Sequence, residues 1–145
     1  MSPKQKSAAG TKESTTKKLL VVDDEPAVLI TYRMILEQSG YEVVACGTCR
    51  EALKAISAND FDLVLSDYSL EQQHTGFEVI DAARKKDPRI PSLLLTGYAA
   101  LDTADKAAAM NVAVLYKPIE IQQFLGETAK ALGKDHEPIK TGTEG

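Results

Sequence analysis

Cysteine is scarce in this 145-residue chain, long apolar runs are missing, and a basic excess is lacking over most of its length. Each shortage excludes a class of protein. Two cysteines, Cys46 and Cys49, cannot build a disulfide framework, which fits a reducing compartment. No apolar stretch approaches the ~20 residues of a membrane helix, and the N-terminus lacks the apolar core of a secretory signal, so a cytoplasmic protein without a membrane partner is expected. Residues 1–18 carry a net charge of +4, which leaves −8 on residues 19–145. An acidic body has no basic face to offer nucleic acid, and direct DNA binding is not expected of it.

What is present is an ordinary 43% of hydrophobic residues, enough for one domain with a proper core. Residues 1–17, rich in Ser, Thr, Lys and Gly, read as a disordered basic tail, and residues 133–145 as a second polar tail. The folded domain is expected over residues 18–132. Within it, apolar runs at Leu19–Val22, Tyr41–Cys46, Phe61–Leu65, Ile90–Leu95 and Val112–Tyr116 have the length of strands. Between and after them, apolar residues recur at helical spacing: Val28, Tyr32, Ile35 and Leu36; Leu53 and Ile56; Phe77, Ile80 and Ala83; Ile121, Leu125, Thr128 and Leu132. The Ala-rich segment Leu101–Met110 is helical by propensity, with only a weak stripe to anchor it. Five β-α units with continuous strand hydrophobicity imply a doubly wound α/β domain, a parallel sheet covered on both faces. Ligands of such sheets bind beyond the carboxyl ends of the strands, where the winding reverses.

Those ends carry chemistry. In KKLLVVDDEPAVLI, the first run stops at Asp23, Asp24 and Glu25, followed by Pro26. A helix start explains one acid as a cap and the proline as its first residue, but not three acids. The third run, DLVLSD, ends at Asp67. If the first and third strands are neighbours, these carboxylates repel by about 4 kcal/mol per pair at 4 Å and an effective dielectric near 20, and a cation must relieve them. All-oxygen ligands without His or Cys point to a hard ion, Mg²⁺. The fourth run supplies Thr96, in LLLTGY, and the fifth Lys117, in LYKPI. Alone, each is an ordinary strand-end residue; together they make a site.

LLVVDDEP, DLVLSD, LLLTG and YKPI, in this order and spacing, resemble the receiver domain of two-component response regulators over about residues 18–132. The resemblance implies a flavodoxin-like (βα)5 fold with strand order 2-1-3-4-5. It implies Asp67 as phosphoacceptor and Mg²⁺ ligand, Asp24 as a direct ligand, Asp23 as a ligand acting mainly through bound water, and Ser69 as a carbonyl ligand. Glu25 is left for the helix cap. Lys117 and Thr96 would bond the phosphoryl oxygens, Lys117 stabilising the transferred charge and Thr96 biasing a conformational switch. Lys117–Pro118 resembles the family's cis bond. The implied partners are a histidine kinase or a histidine phosphotransfer protein, a downstream protein target and, in the phosphorylated form, a second copy of the chain. The output surface is then the fourth helix, fifth strand and fifth helix. On this reading the protein is no enzyme beyond catalysing its own phosphorylation and dephosphorylation, and no output domain follows Leu132. A receiver detached from a hybrid histidine kinase is an alternative. A haloacid-dehalogenase-type phosphatase is another, although it wants a second Asp where Ser69 stands, and a phosphorylation-independent interaction domain would not need the complete site.

The chain departs from the family pattern in several places. Val114 stands where an aromatic switch residue is common, with Tyr116 on the same strand parity. SLEQQHTG, after Tyr68, is one residue longer than expected and contains His74, which reads as a solvated loop residue. CGTC at Cys46–Cys49 looks like a thioredoxin-type pair, but small residues are common at both positions of the family. In the family two positions flank the approach of water to the phosphorus, and the resemblance puts Ser69 and Tyr98 there. Neither can orient water as an acid or amide does, so slow self-dephosphorylation is expected.

Overall fold

Residues 16–97 and 101–133 are described by the structure, a computed structural model. Strand β1 (Lys18–Val22) leads to helix α1 (Pro26–Gln38), then β2 (Glu42–Cys46), α2 (Cys49–Ala58), β3 (Leu63–Asp67), α3 (Gly76–Lys86), β4 (Ser92–Thr96), α4 (Leu101–Ala109), β5 (Ala113–Tyr116) and α5 (Ile121–Gly133). The strands form one parallel sheet in the order β2-β1-β3-β4-β5. This is the expected flavodoxin-like order. The chain steps outward from β1 to β2 and then crosses to β3, so the winding reverses between β1 and β3.

Strand residues alternate between two cores. Leu19, Val21, Leu63, Leu65, Leu93, Leu95 and Leu115 face α1 and α5, where they meet Leu36, Phe124 and Leu132. Leu20, Val22, Val64 and Leu94 face α2, α3 and α4, where they meet Ala52, Ile56, Phe77, Ile80, Ala83 and Ala107. Because both faces are covered, the strands read as continuous apolar runs. Tyr32 of α1 stacks on Phe124 of α5, with ring centroids 4.8 Å apart, and ties the two helices of one layer together.

Several expectations shift. The apolar runs predict strands over Phe61–Leu65 and Ile90–Leu95, whereas β3 and β4 lie about two residues later. Phe61 and Ile90 are buried without pairing, and the ladder instead runs on through Ser66 and Asp67. Leu53 does not face the core: it is 40% exposed, and Cys49, Ala52 and Ile56 form the buried stripe of α2. Likewise Ile121, 54% exposed, stands outside the α5 stripe of Phe124, Thr128 and Leu132. Glu25 occupies the cap position of α1, but its side chain makes no capping bond; Pro26 follows as expected. Among residues 102–109 of α4, Thr103 and Ala107 are the buried ones, in keeping with its weak stripe. Most of the two tails lies outside the described residues.

Helix α3 begins unusually close to the end of β3. A Cβ built on Gly76 would lie 2.4 Å from the Asp67 carbonyl oxygen, 2.9 Å from Ser66 Oγ and 2.8 Å from a Leu94 methyl. The Gly76 N–H donates to the Tyr68 carbonyl at 2.8 Å and fixes the approach. Backbone, not a flexible side chain, blocks any larger residue. Gly76→Ala should therefore push α3 from β3 at an overpacking cost of about 1–3 kcal/mol. Denaturant unfolding checks this, and the helix-propensity gain of Ala makes an unchanged midpoint the result that contradicts it.

Candidate functional site

At the carboxyl ends of β1 and β3 the sheet brings Asp23, Asp24 and Asp67 together, with one oxygen from each within 4.8 Å of the others. Asp23 and Asp67 are buried; Asp24 is exposed. Both oxygens of Asp23 are engaged. Oδ1 accepts the Glu25 N–H at 2.9 Å, which turns the chain into α1, and Oδ2 accepts from Lys117 Nζ at 3.3 Å. Asp23, not Glu25, thus satisfies an amide at the start of this helix. Lys117 also pairs with Asp67 Oδ1 at 2.8 Å, so one ammonium is held between two buried carboxylates.

Neighbouring strands place Lys117. Its N–H donates to the Thr96 carbonyl at 2.8 Å, and the bond from Lys117 to Pro118 is cis. Thr96 is buried at the end of β4 and lines, with Asp24, Asp67, Ser69 and Lys117, an open cleft of about 520 Å³. Ser69 is exposed at its edge. Val114 is half-buried against the α2–α4 core, while Tyr116 is 45% exposed on the outer strand. Tyr98 lies outside the described residues.

Burial is the largest influence on Asp67 and raises its carboxyl above the ordinary range. The Lys117 hydrogen bond opposes this, and the charges of Asp23 and Asp24 add to it. Burial alone would lower Lys117; the bond and charge of Asp67, with Asp23, outweigh it and hold the ammonium above its usual value. The lysine is therefore a fixed positive charge at neutral pH. The donor set also suits a hard divalent ion: the carboxylate oxygens lie within 4.8 Å of one another, a range that allows the ~3 Å separation of adjacent ligands around an octahedral ion bound at 2.0–2.1 Å after small side-chain movements.

The loop between β3 and α3 contains features that the sequence reading missed. Ser69 pairs with Thr75 in an isolated antiparallel bridge, and between them Gln72 and Gln73 adopt left-handed backbone at φ 53° and 67°. Glu71 reaches back across the surface, and both of its carboxylate oxygens accept the Cys49 N–H at the start of α2, at 3.0 and 3.1 Å. No local signal announces such a distant cap. Thr75 and Glu78 form a capping box for α3, which Thr-Gly-Phe-Glu did encode. Glycine as the first residue of that helix was the available sign of its close approach to β3.

Comparison with known proteins agrees with this geometry. The family model described as response regulator receiver domain matches residues 19–128. The alginate biosynthesis transcriptional regulatory protein AlgB of Pseudomonas aeruginosa is 34% identical over 124 residues, covering 83% of this chain and 27% of that protein. The transcriptional regulatory protein ZraR of Escherichia coli is 29% identical over 119 residues, covering 81% and 27%. The chain thus spans about a quarter of the length of the curated relatives it matches. Among solved structures, a CheY-like response regulator receiver domain protein of Methanospirillum hungatei superposes with a TM-score of 0.79 at 31% identity, over 85% of this chain and 98% of that one. The chemotaxis protein CheY4 of Vibrio cholerae superposes at 0.74 and 28%, over 80% and 98%.

Removing Lys117 leaves Asp23 and Asp67 facing each other without their shared cation. Because Asp67 already sits above its unfolded value, its ionisation costs stability as pH rises from the unfolded value through the raised folded one. Taking away the lysine should raise it further and widen that window. Lys117→Ala should thus lose stability from pH 4 to 7 more steeply than the parent in chelator, and regain part of it in excess Mg²⁺. Parallel pH-dependent melts of the two proteins would contradict the ion-pair account.

Proposed function

The chain belongs to the response regulator receiver domain family, and from that premise we propose that Asp67 accepts a phosphoryl group from the phosphohistidine of a partner kinase or phosphotransfer protein. The observation that carries this reading is the pairing of a buried carboxylate at a strand end with a fixed ammonium 2.8 Å away, beside two further acids in an open cleft. A carboxylate oxygen of Asp67 attacks phosphorus, the P–N bond breaks, and the histidine nitrogen leaves with the electron pair. The product is an acyl phosphate. Lys117 screens the approach of one anion to another and follows the charge onto the phosphoryl oxygens.

The acidic residues fit Mg²⁺. Asp24 and Asp67 would hold it, with the Ser69 carbonyl, while Asp23, whose oxygens already accept hydrogen bonds, acts through water. When bound, the ion neutralises carboxylate and phosphoryl charge at the moment of transfer. Thr96, on the same cleft, turns toward the new oxygens, and Lys117 moves its contacts from Asp23 to the phosphoryl group. Both residues end strands bonded to each other, so the shift reaches β4, β5 and the helices that follow. Tyr116 and Ile121 leave apolar surface on β5 and α5, which suits a downstream protein or a second copy of the chain. The protein in this reading is a switch, acting as a catalyst only on itself.

Incubation with acetyl phosphate and Mg²⁺ should add one phosphoryl group per chain, on Asp67, and chelator should prevent it. Asp67→Asn should accept none while keeping its fold; in chelator it should melt no lower than the parent, because a neutral side chain replaces an ion that burial disfavours. Phosphate on any other residue would overturn the assignment.

The lifetime of the phosphorylated form gives a second measurement. Ser69 at the cleft edge has no carboxylate or amide to orient water, and the same holds for Tyr98 by composition. Replacing Ser69 by Asn and Tyr98 by Glu together should speed loss of phosphate about tenfold or more in excess Mg²⁺. Equal decay of the double variant and the parent would remove the basis for a long-lived signal.

A further inference from the structure

A second cluster of metal-ligating side chains lies outside the acidic cleft. Cys49 at the first turn of α2, His74 at the end of the β3–α3 loop and Glu78 in the first turn of α3 each offer a donor atom, and the three atoms lie within 4.8 Å of one another. Residues 25 to 29 apart in sequence are brought together by the packing of α2 against α3. The groups are chemically mixed: a thiol, an imidazole and a carboxylate.

We infer that Cys49, His74 and Glu78 bind a thiophilic divalent ion, Zn²⁺ by its chemistry, with a fourth position open to water. The donor spacing is close to what a tetrahedral site needs. Zn–S near 2.3 Å and Zn–N or Zn–O near 2.0–2.1 Å put ligands about 3.3–3.7 Å apart, so the groups need close by only about 1 Å. The charges also balance, since a thiolate, a carboxylate and a neutral imidazole neutralise a divalent ion. Mg²⁺ is a poor competitor here, because it prefers oxygen ligands and octahedral geometry.

Further observations point to a ligand. Cys49 is 1% exposed, its thiol has no hydrogen-bond partner among the described residues, and Cys49 and His74 both line one surface cleft. Glu78 is already oriented: Oε2 accepts the Thr75 N–H at 3.1 Å, which leaves Oε1 against His74 Nδ1 at 2.8 Å. That backbone bond is the outer support a ligating carboxylate requires. His74, in extended backbone just ahead of the Thr75 cap, meets Glu78 across the first turn of α3. Arg50 and Lys54 border the cleft and oppose a cation at long range, while Glu71 beside Cys49 offsets one of them. An occupied site would clamp the loop that follows Asp67 to the start of α2.

The test uses the full chain, reduced and freed of metal, titrated with Co²⁺ as a spectroscopic stand-in and then with Zn²⁺. One equivalent of Co²⁺ should give the near-ultraviolet thiolate charge-transfer band of a tetrahedral site, and Zn²⁺ but not excess Mg²⁺ should erase it. Asp67→Asn should keep the band, which separates this site from the acidic cleft. Cys49→Ser should abolish it, and His74→Ala and Glu78→Gln should each weaken Zn²⁺ binding at least tenfold. His74 and Glu78 are partly exposed, so those variants keep the fold even if Cys49→Ser does not. No band in the parent, a band that survives Cys49→Ser, or unchanged Zn²⁺ affinity in His74→Ala would each overturn the assignment.

Discussion

Three carboxylates forced onto one edge of a parallel sheet set the terms for everything around them. At an effective dielectric near 20, each pair of charges about 4 Å apart repels by about 4 kcal/mol, a large fraction of what holds a small domain folded. Lys117 relieves part of this by lying between Asp23 and Asp67, and Asp24 reduces its own share by remaining exposed. The balance is still negative. The resting site therefore attracts a cation and disfavours a further anion unless that cation comes with it. The same repulsion that costs stability makes the site selective for a phosphoryl group delivered with a divalent ion.

Such an arrangement survives because the scaffold beneath it has no freedom to relax. β3 and β4 along their whole length, and β1 from Leu19 to Val22, are buried between two cores, so the strand ends cannot splay to separate the acids. The Lys117 amide is tied to Thr96, the Tyr68 amide to Leu95, and the Gly76 amide to Tyr68. Backbone bonds to the neighbouring strand or loop thus fix Lys117 and the residues just beyond Asp67, and the conflict among charges can be resolved only by ions, protons or movement of the loops beyond the sheet.

The sheet and the acid cluster were legible in the sequence because both follow from periodic patterns: continuous apolar runs, each ending in a polar residue of the right kind. Strand order came from the resemblance, since periodicity does not say which strands are neighbours. What misled was the equation of apolar with paired or core-facing. Phe61 and Ile90 are buried ahead of their strands, whereas Ser66 and Asp67 continue the ladder despite being polar. Leu53 and Ile121 are large apolar residues that face outward, while Cys49, Ala52 and Ile56 take the core side of α2. The Glu71 contact with α2 joins residues 22 apart and has no local signature.

That contact explains how the idiosyncratic loop persists. Two consecutive non-glycine residues in left-handed backbone cost about 1–2 kcal/mol each. Hydrogen bonds from an amide to a charged carboxylate contribute about 1.5–3 kcal/mol, and Glu71 makes them at a helix start where negative charge is favoured. The two effects are of one size, so the anchor on α2 offsets the strain, while the Ser69–Thr75 bridge and the Leu70–His74 backbone bond close the loop on itself. It leaves β3 beside Asp67, touches α2 through Glu71, and re-enters α3 through the Thr75–Glu78 box. A change in charge at the end of β3 therefore acts on a segment in which local strain is offset by a few hydrogen bonds, one of them to a distant helix, which is the physical condition for a small electrostatic event to move a surface.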